Sequence, residues 1–198
     1  MFNYIYFYFL YERRIKLEEQ IKRSLKGDQN AYTELIKSVE TEMYKIANSQ
    51  LNNIDDINDA IQEAIIHSYN KLHTLKNHSY FKTWIIRILI NECYNIHRKR
   101  KKQLGLFYKL SNSVDITSSS ENEIQHKEDD IDFDLLIKRL NYDERLILTL
   151  YYKNKYTPTE ISDILKINVN TVKSRILRAK QKLQDLYNKG GINNGTKK

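Results

Sequence analysis

The stretch 157–183, TPTEISDILKINVNTVKSRILRAKQKL, constrains the fold of this chain more than any other. Thr157 is an N-cap residue, Pro158 suits the first helical position, and Glu160 stands at the third position needed for a capping box. Ile161, Ile164 and Leu165 recur at helical spacing and supply an inward face. Lys166, Ile167 and Asn168 make a turn, and Asn168 caps a second helix in which Val172 and Ile176 point inward. Packing through those two residues leaves Asn170, Thr171, Lys173, Ser174, Arg175 and Arg178 to the outer face and its flanks. This is the layout of a helix-turn-helix. Its second helix enters a major groove, where Arg addresses base edges while Lys and Ser position phosphates. A generic helix hairpin with a wet basic face is the plainer reading; the sharp N-cap, three-residue turn and local charge weigh against it.

Charge elsewhere follows the same division. Lys plus Arg outnumber Asp plus Glu by 33 to 25 over 198 residues, a net charge of +8. From Lys166 to Lys198 there are nine basic residues against one acidic, Asp185, and RKRKK occupies 98–102, whereas Asp and Glu concentrate between 121 and 134. Two basic regions with an acidic connector fit a nucleic-acid binder better than a uniformly charged globule. With only 5 Gly and 1 Pro, the chain fits an all-α protein with short connections. The expected architecture is two small helical domains joined by a flexible acidic linker, the second containing the helix-turn-helix. Cys93 is the sole cysteine, so an internal disulfide is excluded and a reducing cytoplasm is expected.

The first unit is expected over about 14–103. IKLEEQIKRSLK and AYTELIKSVETEMYKIANSQL read as helices separated by a break at KGDQN. In DDINDAIQEAIIHSYNKL, Ile57, Ile61, Ala64, Ile65 and Tyr69 have helical spacing, and Asp55, Asp56, Asp59, Gln62 and Glu63 form a polar, acidic side. LHTLKNHSY reads as a loop. In FKTWIIRILINECYNIHRKR, Phe81, Trp84, Ile85, Ile88 and Leu89 suit burial, while Arg87, Asn91, Asn95 and Arg98 recur at three or four residues and line another face. Tyr80 and Tyr94 are candidates to stack on exposed bases, a means of holding single strands, though the sequence does not say which ring is exposed.

Residues 104–131 are read as the linker, with Ser118, Ser119 and Ser120 leading into its acidic part. The second unit is expected over 132–187, where FDLLIKRL and NYDERLILTLYY form helices and Asn141 caps the latter; residues 188–198 form a basic tail. The first eleven residues, MFNYIYFYFLY, are apolar or aromatic apart from Asn3. They are too short to span a bilayer and lack the features of a signal peptide. Residues 1–13 are taken as a flexible extension; packing against the first domain and contact with a membrane or partner are the alternatives.

TVKSRILRAKQKL, preceded by EISDILKI and LNYDERLILTLYY, resembles the promoter −35-binding domain of bacterial sigma factors. In the first unit GDQNAYTELI, DAIQEAIIHSYNKL and FKTWIIRILINECYNIHRKRKK resemble the opening signature, polymerase-binding helix and −10-binding segment of the other conserved sigma domain. Two such domains with no intervening one resemble a group IV, extracytoplasmic-function-type sigma factor, over residues 20–103 and 132–187. The resemblance implies that Asp59, Gln62 and Glu63 meet core RNA polymerase. It also implies that Trp84, Arg87, Asn91 and Arg98 meet the melted −10 element, with the loop at 74–80 capturing a flipped base, and Tyr80 and Asn95 are candidates beside them. Thr171, Lys173, Ser174, Arg175 and Arg178 then meet −35 DNA, with Asn170 a candidate at the start of the same helix.

The departures from the family pattern are local. Asn95 stands where Asp is usual and cannot form a charged pair with Arg98. Lys166 replaces the turn Gly, at about 1 kcal/mol if its backbone is left-handed. Ser162 replaces Ala, and Val169-Asn170 replace Glu-Gly, where promoter contacts begin. These bear on the target sequence more than on the class.

The resemblance implies a cytoplasmic, non-enzymatic subunit, monomeric when free, whose partners are core RNA polymerase and promoter DNA. An anti-sigma factor is a common partner in that family, though nothing in these residues identifies one. No Gly-rich phosphate loop and no metal or acid/base spacing is present, so neither cofactor, metal nor direct membrane insertion is expected. Two alternatives stay open at this point. One is a conventional helix-turn-helix regulator with a helical ligand or dimerisation domain, which leaves the acidic face at 59–63 unexplained. The other is a protein whose basic regions meet RNA or other proteins.

Overall fold

The computed structural model describes residues 2–110 and 133–192, and every regular element among them is helical. Five helices form the first cluster: α1 (Phe2–Leu25), α2 (Gln29–Lys37), α3 (Glu40–Gln50), α4 (Ile54–Lys71) and α5 (Phe81–Leu110). Short 3₁₀ turns at Leu72–Thr74 and His78–Tyr80 occupy the stretch read as a loop between α4 and α5. The second cluster holds α6 (Phe133–Lys138), α7 (Tyr142–Leu148), α8 (Pro158–Leu165) and α9 (Val169–Ile192), with a π-helical turn at Thr149–Lys153 extending α7. Of the connector read over 104–131, residues 104–110 continue α5, and the serine-led acidic remainder lies outside the described residues. So do residues 193–198 of the basic tail.

Local chemistry sets the boundaries. At the KGDQN break Gly27 takes φ +92, a left-handed conformation that a side chain would strain. Asp28 then accepts from the Ala31 backbone N–H (3.1 Å) and from the Arg23 guanidinium (2.8 and 2.9 Å). Those donors, the backbone N–H first, hold its carboxyl below the usual range. Asn53 caps α4, and both α7 and α8 start with complete capping boxes, Asn141 with Glu144 and Thr157 with Glu160. Helix α1 begins at Phe2, so the aromatic N-terminal residues continue the first helix; Tyr8 and Tyr11 are exposed on it.

The core of the first cluster is the seam between α4 and α5. Helix α4 buries Ile57, Ala60, Ala64 and Ser68, while Ile61 and Ile65 are only partly covered and Tyr69 is 41% exposed. Periodicity placed Tyr69 inside. The structure instead turns the small residues toward α5, which lets Phe81, Ile85, Ile86 and Leu89 approach and bury fully. Each such side chain contributes about 1.5–3 kcal/mol by leaving water. The Tyr32 hydroxyl makes a 2.6 Å hydrogen bond with Ser68 Oγ and also donates to the Ile65 carbonyl (2.7 Å), so the tyrosine caps this seam. Cys93, also on α5, is fully buried, and burial pushes its thiol up to about 12.

In the second cluster Ile161 and Ile164 of α8 pack with Val172 and Ala179 of α9 and with Leu146, Ile147 and Leu148 of α7. Lys166 closes α8 at φ +56, ψ +42, the left-handed conformation that glycine ordinarily takes at a helix C-terminus. Lys166→Gly is therefore expected to stabilise the protein by about 1 kcal/mol, raising the melting temperature by roughly 2–4 °C. Denaturant unfolding of the two proteins measures this; an unchanged or lowered midpoint contradicts it.

Candidate nucleic-acid interface

The helix-turn-helix is built from three local devices. The capping box fixes the start of α8, the left-handed Lys166 ends it, and the Asn168 side chain accepts from the Asn170 backbone N–H (2.8 Å) to begin α9. A fourth device was not legible in the sequence: the Ser162 hydroxyl donates to the Ile167 carbonyl at 2.6 Å, pinning the turn from within α8. An alanine there lacks that bond. On α9, Asn170, Lys173, Ser174 and Arg178 are exposed, and Thr171 and Arg175 are half-buried on the flanks. Ser174 Oγ donates to the Thr171 carbonyl (3.0 Å) and Arg178 Nε to the Ser174 carbonyl (3.4 Å), so both lie along the helix surface. Leu177, which sequence reasoning passed over, projects from this face at 65% exposure. The far part of α9 is tied to α7 by Lys182 and Glu144 at 2.9 Å.

In the first cluster Asp59, Gln62 and Glu63 lie exposed on α4. Beside them His67 Nδ1 lies 2.9 Å from Glu92 Oε1, joining α4 to α5. On α5, Asn91, Asn95 and Arg98 are exposed and Trp84 is half-buried, tilted against Phe81 with ring centroids 6.2 Å apart. Tyr80 (55%) and Tyr94 (51%) are both exposed, which answers what the sequence left open. Asn95 Nδ2 donates weakly to Glu92 Oε2 (3.5 Å). Within RKRKK, Arg100 is bound at Nη2 to Asp56 of α4 (2.7 Å) and through Nε to the same carboxylate. It therefore fixes the basic end of α5 to the start of α4, a pairing 44 residues apart that no local pattern reveals. Arg14, Leu17 and Glu18 of α1 face Lys76, Asn77, His78 and Ser79 across a cavity of about 380 Å³.

The two clusters meet along a seam between α3 and α5 on one side and α7, the π-helical turn and α8 on the other. Arg87 donates to the Asp163 carbonyl and, through Nε at 3.1 Å, to the Ile164 carbonyl. A cation there complements the negative end of α8. In this arrangement Arg87 is engaged with α8 while Asn95 and Arg98 are exposed; with Asn91, Tyr94, Tyr142 and Lys166 it lines an interdomain cleft of about 420 Å³. Tyr156 OH donates to Glu42 Oε2 (3.1 Å), and Lys82 lies 2.7 Å from Glu42 Oε1. The His97 ring lies tilted at 37° against Tyr142 with centroids 4.9 Å apart; burial, then Arg145 and Lys101, lower its pKa.

Polar satisfaction along this seam is poor. Arg145 is 8% exposed and donates only two long bonds, to the Lys138 and Gln50 carbonyls, both 3.4 Å. Its Nε, Gln50 Oε1, Tyr142 OH, Thr149 Oγ1 and Asn154 Oδ1 are buried without a hydrogen-bond partner. Among the described residues no carboxylate forms a salt bridge with Arg145, and no group of His, Cys, Asp and Glu has metal-binding geometry.

Residues 35–103 match the family model "Sigma-70 region 2", and residues 131–183 match "Sigma-70, region 4". The chain is 27% identical over 186 residues to the ECF RNA polymerase sigma factor SigW of Bacillus subtilis, covering 85% of this chain and 95% of SigW. It is 30% identical over 134 residues to SigM of the same organism, covering 67% and 80%. The sigma factor RpoE of Bartonella quintana, solved in complex with the anti-sigma factor NepR, superposes with a TM-score of 0.62 at 26% identity, covering 79% of this chain and 96% of that one.

A buried guanidinium without a carboxylate adds little to stability, because desolvation offsets its two long bonds. Arg145→Met is expected to leave the unfolding free energy unchanged or raise it, whereas Arg145→Ala, which also opens a cavity, lowers it by roughly 2 kcal/mol. Equal losses for the two variants in chemical denaturation overturn that assessment.

Proposed function

The chain belongs to the extracytoplasmic-function group of the sigma-70 family, and from that membership we propose which of its side chains carry out the family's work. It directs core RNA polymerase to promoters through their −35 and −10 elements, and it is an initiation factor, not an enzyme. A conventional helix-turn-helix regulator accounts for α8 and α9 but leaves the region 2 match over 35–103 without a purpose.

The observation that carries the residue assignment is the coexistence of three separate exposed faces in one chain. One is acidic on α4, one polar and aromatic on α5, and one basic on α9. In our reading Asp59, Gln62 and Glu63 dock on core polymerase. Tyr80, Trp84, Arg87, Asn91, Asn95 and Arg98 hold the melted −10 strand, with exposed Tyr80 and Tyr94 offering stacking surfaces. The cavity beside 74–80 takes a base displaced from that strand. Asn170, Thr171, Lys173, Ser174, Arg175 and Arg178 meet −35 DNA in the major groove. Strand opening then needs no nucleotide hydrolysis by this chain, since binding to unpaired bases offsets unstacking. For Arg87 to reach DNA, the clusters must part where it holds α8.

The corresponding units are 14–103 for polymerase and −10 binding and 132–187 for −35 binding. Residues 104–131 are the linker, 1–13 an extension and 188–198 a tail. No helix among the described residues is long and apolar enough to cross a membrane, and we place the protein in the cytoplasm as a monomer when free. Because RpoE is held by NepR, an anti-sigma factor is the proposed regulator.

Reconstituted transcription tests this reading. Adding the chain to core polymerase is expected to give initiation at specific promoters; failure to bind core where other sigma factors do defeats it. Gln62→Ala with Glu63→Ala is expected to weaken core binding while leaving the fold intact, and unchanged binding removes that contact. Arg175→Ala is expected to cost tenfold or so in −35 duplex affinity, in line with ~1–3 kcal/mol for a base contact, with core binding retained. Equal loss of both activities contradicts its role.

A further inference from the structure

Leu177 is the most exposed of the large apolar side chains among the described residues, and it lies on the recognition helix. Among the other apolar residues of α9, Val172 and Ala179 are fully buried and Ile176, Leu183 and Leu186 pack against the core, while Tyr187, ten residues further along, is exposed well beyond the recognition segment. Leu177 is one helical turn beyond Lys173 and Ser174, and two beyond Asn170, so it shares their face. A single exposed leucine on an ordinary surface needs no explanation. Here, however, it stands among the groups assigned to DNA. The polar side chains on either side are partly occupied along the helix: Ser174 donates to the Thr171 carbonyl and Arg178 to the Ser174 carbonyl. The part of this face that projects without a polar group is therefore the leucine.

The major groove offers one apolar feature that distinguishes bases, the C5-methyl of thymine. We propose that Leu177 is a specificity-determining residue that reads a thymine methyl in the −35 element. The inference rests on α9 being the −35-reading helix. A leucine there cannot donate to guanine or accept from cytosine, so its contribution is to favour a base step carrying a methyl group and to exclude water from it. Burying one methyl corresponds to about fourfold in affinity, enough to set preference at one position without dominating binding.

The full chain, assembled with core RNA polymerase, is used to select duplexes from a DNA library randomised across the promoter. In the selected duplex each −35 thymine is then replaced in turn by deoxyuridine, which removes only the methyl. We expect one thymine at which deoxyuridine weakens wild-type binding by about fourfold. Leu177→Ala should lose a similar factor on the thymine duplex and be indifferent to deoxyuridine there, while Leu177→Met, which keeps an apolar contact, should retain the sensitivity. Wild-type binding unaffected by every substitution overturns the proposal, as does an unchanged deoxyuridine sensitivity in Leu177→Ala. A Leu177→Ala variant that loses affinity for core polymerase while keeping that sensitivity places the leucine on a protein partner and overturns it as well. Those three outcomes leave α9 as the −35 reader. If selection yields no −35 preference, and Arg175→Ala binds as wild type does, the underlying assignment of α9 has failed and the proposal with it.

Discussion

The contact between α4 and α5 is made by small side chains on one helix and large ones on the other. Ala60, Ala64 and Ser68 leave room for Phe81, Ile85, Ile86 and Leu89, and that interlocking fixes the rotation of α5 about its axis. Once the rotation is set, every other side chain on α5 has its direction. Asn91, Asn95 and Arg98 are presented outward, Arg87 meets the end of α8, and Arg100 returns to Asp56. Slipping the stripe by one residue would rotate the helix by about 100° and aim all of these groups elsewhere. The assigned DNA-facing and polymerase-facing surfaces therefore share one structural origin.

The second cluster reaches a comparable definition by different means. The three helices before α9 are short, α8 holding only eight residues, so terminal groups matter more relative to buried area. Capping boxes, the Ser162 hydroxyl and the Asn168 side chain satisfy backbone groups at successive turns. This leaves the outer face of α9 free of structural duty, and polar and charged residues occupy it at little cost to folding. Lys166 is the point where that arrangement is strained, and the strain lies within the turn that aims α9.

What the sequence revealed divides by distance along the chain. Caps at Asn141, Thr157 and Asn168, the break at KGDQN and the inward residues Ile161, Ile164 and Val172 were all legible, because each follows from contacts within a few residues. The all-helical organisation in two clusters follows from the same signals. The burial of Ala60 and Ser68, and the exposure of Tyr69, were not legible, since hydrophobicity ranks a tyrosine above a serine while packing against α5 asks for small volume. In the candidate site the polar and basic positions could be identified, but not their commitments. Arg87 to α8 and Arg100 to Asp56 join residues 76 and 44 apart or more, beyond any local periodicity. Leu177 was passed over because an apolar residue in a helix is ordinarily assigned to the core.

The unpaired polar atoms between the two clusters have a further consequence. Gln50, Tyr142, Arg145, Thr149 and Asn154 would each regain hydrogen bonds if water reached them, so hydration works in favour of separation as apolar burial works against it. The joint is therefore held by apolar burial and by Arg87, Glu42 and Tyr156 against the desolvation of those five groups, which makes it a weaker contact for its area than the core of either cluster.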